Sequence, residues 1–458
     1  MERRRTPSAV NSPQQPPSDV EAGRAEHPTF RTALRVWIKI GLLSFGGPTG
    51  QIALMHRELV ERLRWVSDAR FLHALNYCMV LPGPEAQQLA IYTGWLLHRT
   101  RGGIAAGVLF VLPGALLLWL ISYVYVTFGQ VPAVEAVFYG LKAAVMAIVA
   151  AAMIRIARKA LKNEVLWSVS ALAFAAIFFL GVPFPAIVIG AGLAGLIGGR
   201  FFPRKFDLTL GHGAATETSG SVISDEVSAN IPQPTLAWTL TVSATWLAIW
   251  FVPVLLVLWW LGPQHALFRE GLFFSKAAVV TFGGAYAVLP YVAQQAVEHH
   301  GWLSTTQMMD GLGLAETTPG PLILVLQFVG FLGGWQQSGE LSPLLAATIG
   351  AALTSWVTFV PGFLFIFAGA PYIERMRGNL RLTTALSAIT AAVVGVMLNL
   401  AVWFALSVVW PDGTGGAVDW FPVGMATVAF VGLIRFQWNV IPVVVGGGLL
   451  GLAYRILV

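Results

Sequence analysis

Cysteine is almost absent: the 458-residue chain holds one, Cys78. That excludes an intramolecular disulfide and any site built from several thiolates, and it leaves Cys78 as a packing residue. Charge is also scarce, at 11% of residues against about a quarter in a globular chain. No Gly-rich stretch is followed by Lys-Ser or Lys-Thr, so neither a phosphate-binding loop nor an ATP-driven motor is indicated. The histidines lack metal-ligand spacing, and His56, His73, His299 and His300 read as loop or helix-end residues. No apolar stretch follows Arg3-Arg4-Arg5, so this end does not read as a cleavable signal peptide. With no catalytic constellation, the chain reads as a non-enzyme with no cofactor and no bound metal.

Apolar residues are what the chain has instead. They make up 56% of it, with 17 Trp and 28 Phe and a mean hydropathy of +0.71. Windows such as Leu109–Val126 and Pro343–Pro371 are long enough to cross a hydrocarbon core of about 30 Å as helices. The composition defines an all-α polytopic membrane protein whose aromatic residues suit the two lipid interfaces. The net charge of +6 lies in short loops beside apolar segments, where it reports orientation and not nucleic-acid binding.

The order of segments gives five regions: a disordered cytoplasmic tail (1–30), a first repeat (31–200), a polar cytoplasmic linker (201–243), one extra transmembrane helix (244–262) and a second repeat (263–458). Each repeat holds six apolar blocks. They fall at about 32–55, 70–98, 103–128, 136–155, 165–180 and 182–199, then at about 267–292, 307–335, 343–370, 385–410, 420–434 and 437–456. One gapless shift superposes Lys39 on Lys276, Phe45-Gly46-Gly47 on Phe282-Gly283-Gly284, Trp65 on Trp302, and Pro82-Gly83-Pro84 on Pro319-Gly320-Pro321. After one insertion near Gln336–Ser342, Pro113-Gly114 meets Pro361-Gly362 and Ala143-Ala144-Val145 meets Ala391-Ala392-Val393. An offset held across so many non-apolar identities marks a duplication.

Loop charges set the relation of the halves. After the first, second and fourth blocks of the first half come Arg57, Arg62, Arg64 and Arg70, then Arg99 and Arg101, then Arg155, Arg158, Lys159 and Lys162. The matching loops of the second half contain no Lys or Arg, while its loop after block three holds Arg375, Arg377 and Arg381. The positive-inside rule therefore makes the repeat inverted, with the N-terminus cytoplasmic and the C-terminus periplasmic. Basic loops after both block one and block two conflict with plain crossings. Re-entrant hairpins broken at Gly46-Gly47-Pro48 and Pro82-Gly83-Pro84 remove the conflict, because breaks that line a cavity are tolerated; two kinked crossings are the alternative.

Broken helices expose backbone N–H groups and positive helix ends, a ready anion site. The candidate substrate-binding residues are Lys39, Ser44, Gly46, Gly47, Pro82, Gly83, Gln87 and Gln88 in the first half. In the second they are Lys276, Thr281, Gly283, Gly284, Thr317, Thr318 and Gly320. Glycine admits close backbone approach, the two lysines offer matched positive charge, and the polar side chains offer hydrogen bonds. Glu85 and Glu316 are intramembrane carboxyls able to carry a proton. Lys142 has only Thr390 opposite it in the repeat.

The Ser-Phe-Gly-Gly-Pro, Pro-Gly-Pro and Phe-Val-Leu-Pro-Gly segments and their duplicates resemble the chromate transporter family in its long, two-domain form, from about Thr32 to Val458. The resemblance implies a secondary transporter of the bacterial inner membrane that exports chromate, by proton antiport, and so confers chromate resistance. Uptake of sulfate or a related oxyanion, or a channel-like pathway for it, is the alternative. The expected partners are chromate or sulfate, protons and membrane lipid, with no nucleic acid; a homodimer is compatible with this reading. Within the match, Gly46, Gly47, Pro48, Pro82, Gly83 and Pro84 carry the family pattern, as do Gly283, Gly284, Pro319, Gly320 and Pro321. Ala285 departs from it where Pro48 would predict proline, which points to a looser second turn.

Overall fold

A computed structural model describes residues 27–201, 222, 235–369, 380–411, 413 and 415–457. Most of the polar tail and linker, with Arg375, Arg377 and the Arg381 side chain, lies outside the described residues. What is described is helical, with no strand among the described residues.

In the first half, α1 (Phe30–Leu43) is capped by the Thr29 side chain and ends at Ser44. Helix α2 (Gly47–His56) restarts behind Gly46 and runs into a π-helical turn, Arg57–Arg62. Then come α3 (Asp68–Cys78), capped by Ser67, and α4 (Glu85–Phe128). Gly46, Gly47 and Gly83 take φ of 84°, 67° and 109°, left-handed values that glycine reaches without the usual steric cost. The second half repeats the scheme with α9 (Ala266–Val280), α10 (Ala285–Gln294), a π turn at Gln295–His299, α11 (Thr305–Thr317) and α12 (Val325–Gln336). Gly283, Gly284 and Gly320 again have positive φ, at 83°, 93° and 99°.

At each break the chain turns back. A continuous helix would hold Lys39 and Glu58 about 28 Å apart at about 1.5 Å per residue, yet Lys39 Nζ donates to Glu58 Oε1 at 2.8 Å. Arg70 Nη2, on α3, donates to the Tyr92 hydroxyl on α4 at 2.9 Å. In the second half the Phe273 ring lies 5.2 Å from Tyr291 and 5.6 Å from Trp302, and Gln336 Nε2 reaches Gln307 Oε1 at 3.0 Å. Blocks one and two of both halves are therefore helical hairpins.

Helix α4 is itself bent back on its length. His98 and Arg99 leave helical geometry, Arg99 with φ 54°. A Cβ placed on Gly94 would come within 2.5 Å of the Gly102 carbonyl oxygen, so the arms before and after the bend lie side by side. The boundary between blocks 70–98 and 103–128 falls on this bend. The second half makes the same reversal through the loop between α12 and α13 (Pro343–Gly369), where Gly334 abuts the Ala346 carbonyl.

The remaining helices are α5 (Pro132–Ala160), α6 (Glu164–Leu180) and α7 (Phe184–Phe201), the connecting α8 (Leu236–Leu261), and α14 (Leu380–Val409), α15 (Trp420–Arg435) and α16 (Val440–Leu457). Among the described residues seven helices (α4, α5, α7, α8, α13, α14, α16) are long and apolar enough to cross a membrane, and α6, α15 and the Leu322–Gln336 stretch that includes α12 are shorter apolar ones. The last two helices of each half pack on the other half: α6 and α7 on α14, α15 and α16 on α5. Helices α5 and α14, equivalent in the repeat, run antiparallel. The C-terminal end of α5 (Ala160, Leu161) clusters with the N-terminal part of α14 (Ala388, Ala391, Val394). Antiparallel packing of equivalent helices is what an inverted repeat requires. The connecting α8 rests on α9 and α13, with Trp250 Nε1 donating to Ser275 Oγ at 3.2 Å.

In a Cys78→Ser background, Lys39→Cys paired with Glu58→Cys should cross-link with a short bifunctional thiol reagent. A gel-shift assay after cleavage in the Gln51 region checks it, and a straight α1–α2 rod gives no product.

Candidate functional site

The four breaks meet, and they pair across the halves. Gly83 N donates to the Thr281 carbonyl at 2.7 Å, and Gly320 N donates to the Ser44 carbonyl at 2.8 Å. Ser44 and Thr281 are repeat equivalents, as are Gly83 and Gly320, so the two bonds are one contact made twice. Each half's first tip is closed by the other half's Pro-Gly-Pro. Block three completes the arrangement. A Cβ on Gly114 would strike the Pro319 carbonyl oxygen at 2.1 Å, and one on Gly362 would come within 2.9 Å of Gln87 Oε1. The Pro-Gly steps of α4 and α13 thus seat the opposite half's second tip.

Three helices start at these tips without a side-chain cap: α2 behind Gly46, α4 behind Pro84 and α10 behind Gly284. Their first-turn N–H groups and dipoles carry positive potential into the centre of the molecule. A Cβ on Gly46 or Gly47 meets nothing within 4 Å, so this tip borders open space. The two first tips also differ. Helix α2 opens behind Gly46 (ψ 28°), with Pro48 in its first turn, whereas α10 opens one repeat position later, behind Gly284 (ψ 174°), with Ala285 as its first residue.

The side chains of the candidate residues are disposed unevenly. The Ser44 and Thr281 hydroxyls each donate to the carbonyl four residues back, Ile40 and Ala277, both at 2.6 Å. Thr317 and Thr318 likewise donate to Leu314 at 2.9 Å and Ala315 at 3.1 Å. Gln88 Nε2 donates to the Pro82 carbonyl at 2.7 Å and Gln87 Nε2 to Phe359 at 3.4 Å, while the amide oxygens of both are buried without a partner. At these tips the structure offers backbone N–H groups more than hydroxyls. Lys39 and Lys276 lie on exposed faces of α1 and α9, away from the crossed bonds. Lys39 pairs with Glu58, which also holds Arg62 at 2.5 Å; Lys276 has Gln295 at the position equivalent to Glu58 and no ion pair among the described residues.

The carboxyls stand close to the tips. Glu85, in the first turn of α4, lies against the start of α10: a Cβ on Gly284 would be 3.1 Å from Glu85 Oε1. Glu316 is buried at the end of α11 and accepts a hydrogen bond from the Tyr286 hydroxyl of α10. Sequence reasoning missed Gln51, which is fully buried and donates to the Gly320 carbonyl at 2.6 Å. It also missed Tyr286 and the Tyr125–Asp310 bond at 2.9 Å. The signal available for Gln51 was an amide in an apolar stretch only seven residues past Ser44.

Tips that break inside apolar segments, face one another across an inverted repeat and present uncapped helix starts define a membrane transporter built from two homologous halves. The chain belongs to the chromate transporter family, whose profile ("Chromate transporter") matches residues 31–196 and 268–452. It is 32% identical to the chromate transport protein of Pseudomonas aeruginosa over 91% of this chain and 90% of the relative. It is 28% identical to the chromate transport protein of Cupriavidus metallidurans, over 98% of this chain and all of the relative. An uncharacterised transporter of Methanocaldococcus jannaschii is 23% identical over 84% of this chain and 87% of the relative. No solved structure matches the chain.

Gln51→Leu should leave the Gly320 carbonyl short of a donor and destabilise the junction by about 1–3 kcal/mol. Thermal unfolding in detergent, followed by tryptophan fluorescence, checks this, with Val288→Leu at the equivalent position as the control.

Proposed function

We propose that this chain is a secondary transporter that carries chromate out of the cell across the inner membrane in exchange for protons, and so confers chromate resistance. The observation that supports it best is the meeting of uncapped helix starts at cross-paired tips, which suits a tetrahedral dianion. The names of the relatives supply chromate as the substrate. The backbone donors of the Gly46-Gly47 and Gly283-Gly284 turns and of the first turn of α4 bind the oxyanion, while the single N–H of each Pro-Gly-Pro, at Gly83 and Gly320, holds the opposite half's tip. Lys39 and Lys276 raise its local concentration along the approach from either side, and Glu85 and Glu316 are the carboxyls near the tips that take up protons.

With the basic loops on the cytoplasmic side, as the positive-inside rule favours, the first-half hairpins open to the cytoplasm and their twins to the periplasm. An odd number of full crossings then puts the N-terminus inside and the C-terminus outside. A dianion leaving a cell whose interior is about 100 mV negative gains about 4.6 kcal/mol, so the potential itself favours export and inward proton flow adds to it.

Everted vesicles should accumulate labelled chromate, faster with an imposed proton gradient. Gly47→Leu, forced into a left-handed φ, should abolish accumulation while the protein still reaches the membrane; wild-type accumulation by this variant would sink the site. Full inhibition by sulfate with no proton effect would favour the sulfate pathway. In its ionised form Glu85 places an anion at the start of α10, so in alkaline buffer Glu85→Gln should tighten dianion binding about twofold to tenfold, read by isothermal titration.

A further inference from the structure

Glu270 sits in the first turns of α9, fully buried. Neither carboxyl oxygen has a hydrogen-bond partner among the described residues, and the same is true of the Thr354 hydroxyl. The other buried unpaired atoms belong to side chains bonded through a second atom, such as Gln51, Arg70 and Asp310. Glu270 lies where α9 meets the hairpin of α12 and α13. A Cβ on Gly333 would come within 2.2 Å of Oε1 and one on Gly350 within 2.9 Å of Oε2. Gly350 in turn abuts the Gly330 carbonyl, and a Cβ on Gly330 would come within 2.2 Å of Thr354 Oγ1. Trp302 closes on the same Gly333 position, at 3.1 Å. The carboxyl is held against backbone on a seam of glycines.

Among the described residues no cation pairs with it. Helices α8, α12 and α13 contain no ionisable side chain. On α9 itself, Arg269 donates to the Gln264 side chain and Lys276 is exposed. On α10, Tyr286 is bonded to Glu316 and Tyr291 packs on Phe273. Beyond it come Glu298, His299 and His300, the last stacked on Trp302 at 4.3 Å; His265 precedes the helix and contacts the Ser338 carbonyl at 3.3 Å. An ionised carboxylate in such a place has neither counter-charge nor donor among the described residues, and glycine backbone packs against both of its oxygens. A proton adds no volume.

We propose that Glu270 is a proton-binding site, loaded while the seam of α9, α12 and α13 is closed and emptied when the seam opens to water. For its role in transport this rests on the proton exchange proposed above. Glu270 lies eleven residues before Thr281, about 16 Å along the helix, and its repeat equivalent is Ala33. This proton therefore binds away from the tips, apart from those taken up at Glu85 and Glu316, and at a position where the first half has no carboxyl. Proton and anion can then load different conformations of one carrier, the arrangement that exchange in opposite directions requires.

Two measurements test this. Infrared difference spectra of the purified protein in lipid, between acidic and alkaline buffer, should show a protonated-carboxyl band that Glu270→Gln removes. In everted vesicles the same variant should lose a proton-gradient stimulation of at least about fivefold while keeping potential-driven accumulation. A band unaltered by Glu270→Gln overturns the site. A band that disappears while gradient stimulation survives overturns its coupling role. If the wild type shows no gradient stimulation, proton exchange itself fails, and the band alone still decides whether Glu270 binds a proton. Glu270→Asp keeps an acid and must shift the band without abolishing it, so it serves if the glutamine variant does not assemble.

Discussion

Backbone N–H and C=O groups inside a hydrocarbon layer must find partners within the protein. Every other feature of this molecule follows from how that demand is met at four helix breaks. A broken helix leaves N–H groups at one end and carbonyls at the other. Here the Ser44 carbonyl is taken by Gly320 and the Thr281 carbonyl by Gly83. Neither half can satisfy its own breaks in this way, so the halves are obligate partners. The exchanged packing of α6 and α7 on α14, and of α15 and α16 on α5, extends the same dependence to the periphery.

The pairing is symmetric in its backbone and asymmetric in its side chains. Gln51 latches one tip to the opposing Pro-Gly-Pro, while Val288 at the equivalent position has no polar group. Glu85 stands opposite Leu322 in the repeat, Glu316 opposite Met79, and Tyr286 opposite Thr49. Acidic and amide chemistry is thus divided between two scaffolds that share one geometry. A duplicated scaffold permits this because the fold depends on glycine, proline and backbone contacts, leaving the intervening positions free to diverge.

Much of the fold was legible because its signals are local. Gly46, Gly283 and the Pro-Gly-Pro pairs interrupt apolar runs where an ordinary helix would continue, and the basic loops after blocks one and two favoured a chain that returns to its starting side over two kinked crossings. The bend at His98–Arg99 was legible only as a block boundary, since no Gly or Pro marks it. The site was less readable. Ser44 and Thr281 looked like donors to a ligand, but a hydroxyl at a helix end in an apolar setting can reach its own i−4 carbonyl, and both do. Lys39 and Lys276 matched in register, yet helical phase puts both on exposed faces, which the break motifs alone did not reveal. Gln51 and Glu270 escaped because each owes its meaning to contacts with residues far away in sequence.

In the proposed transport cycle the two halves exchange roles, and any contact that both halves can make costs nothing to exchange. The paired backbone bonds at Ser44 and Thr281 are of that kind. The contacts of Gln51, Glu85 and Glu270 are not, because Val288, Leu322 and Ala33 cannot replace them. The free-energy difference between the inward- and outward-open forms must therefore reside in these unshared side chains. A carrier made only of its symmetric parts would favour neither side. In the proposed cycle, direction and ion coupling then depend on a few polar residues present in one half alone.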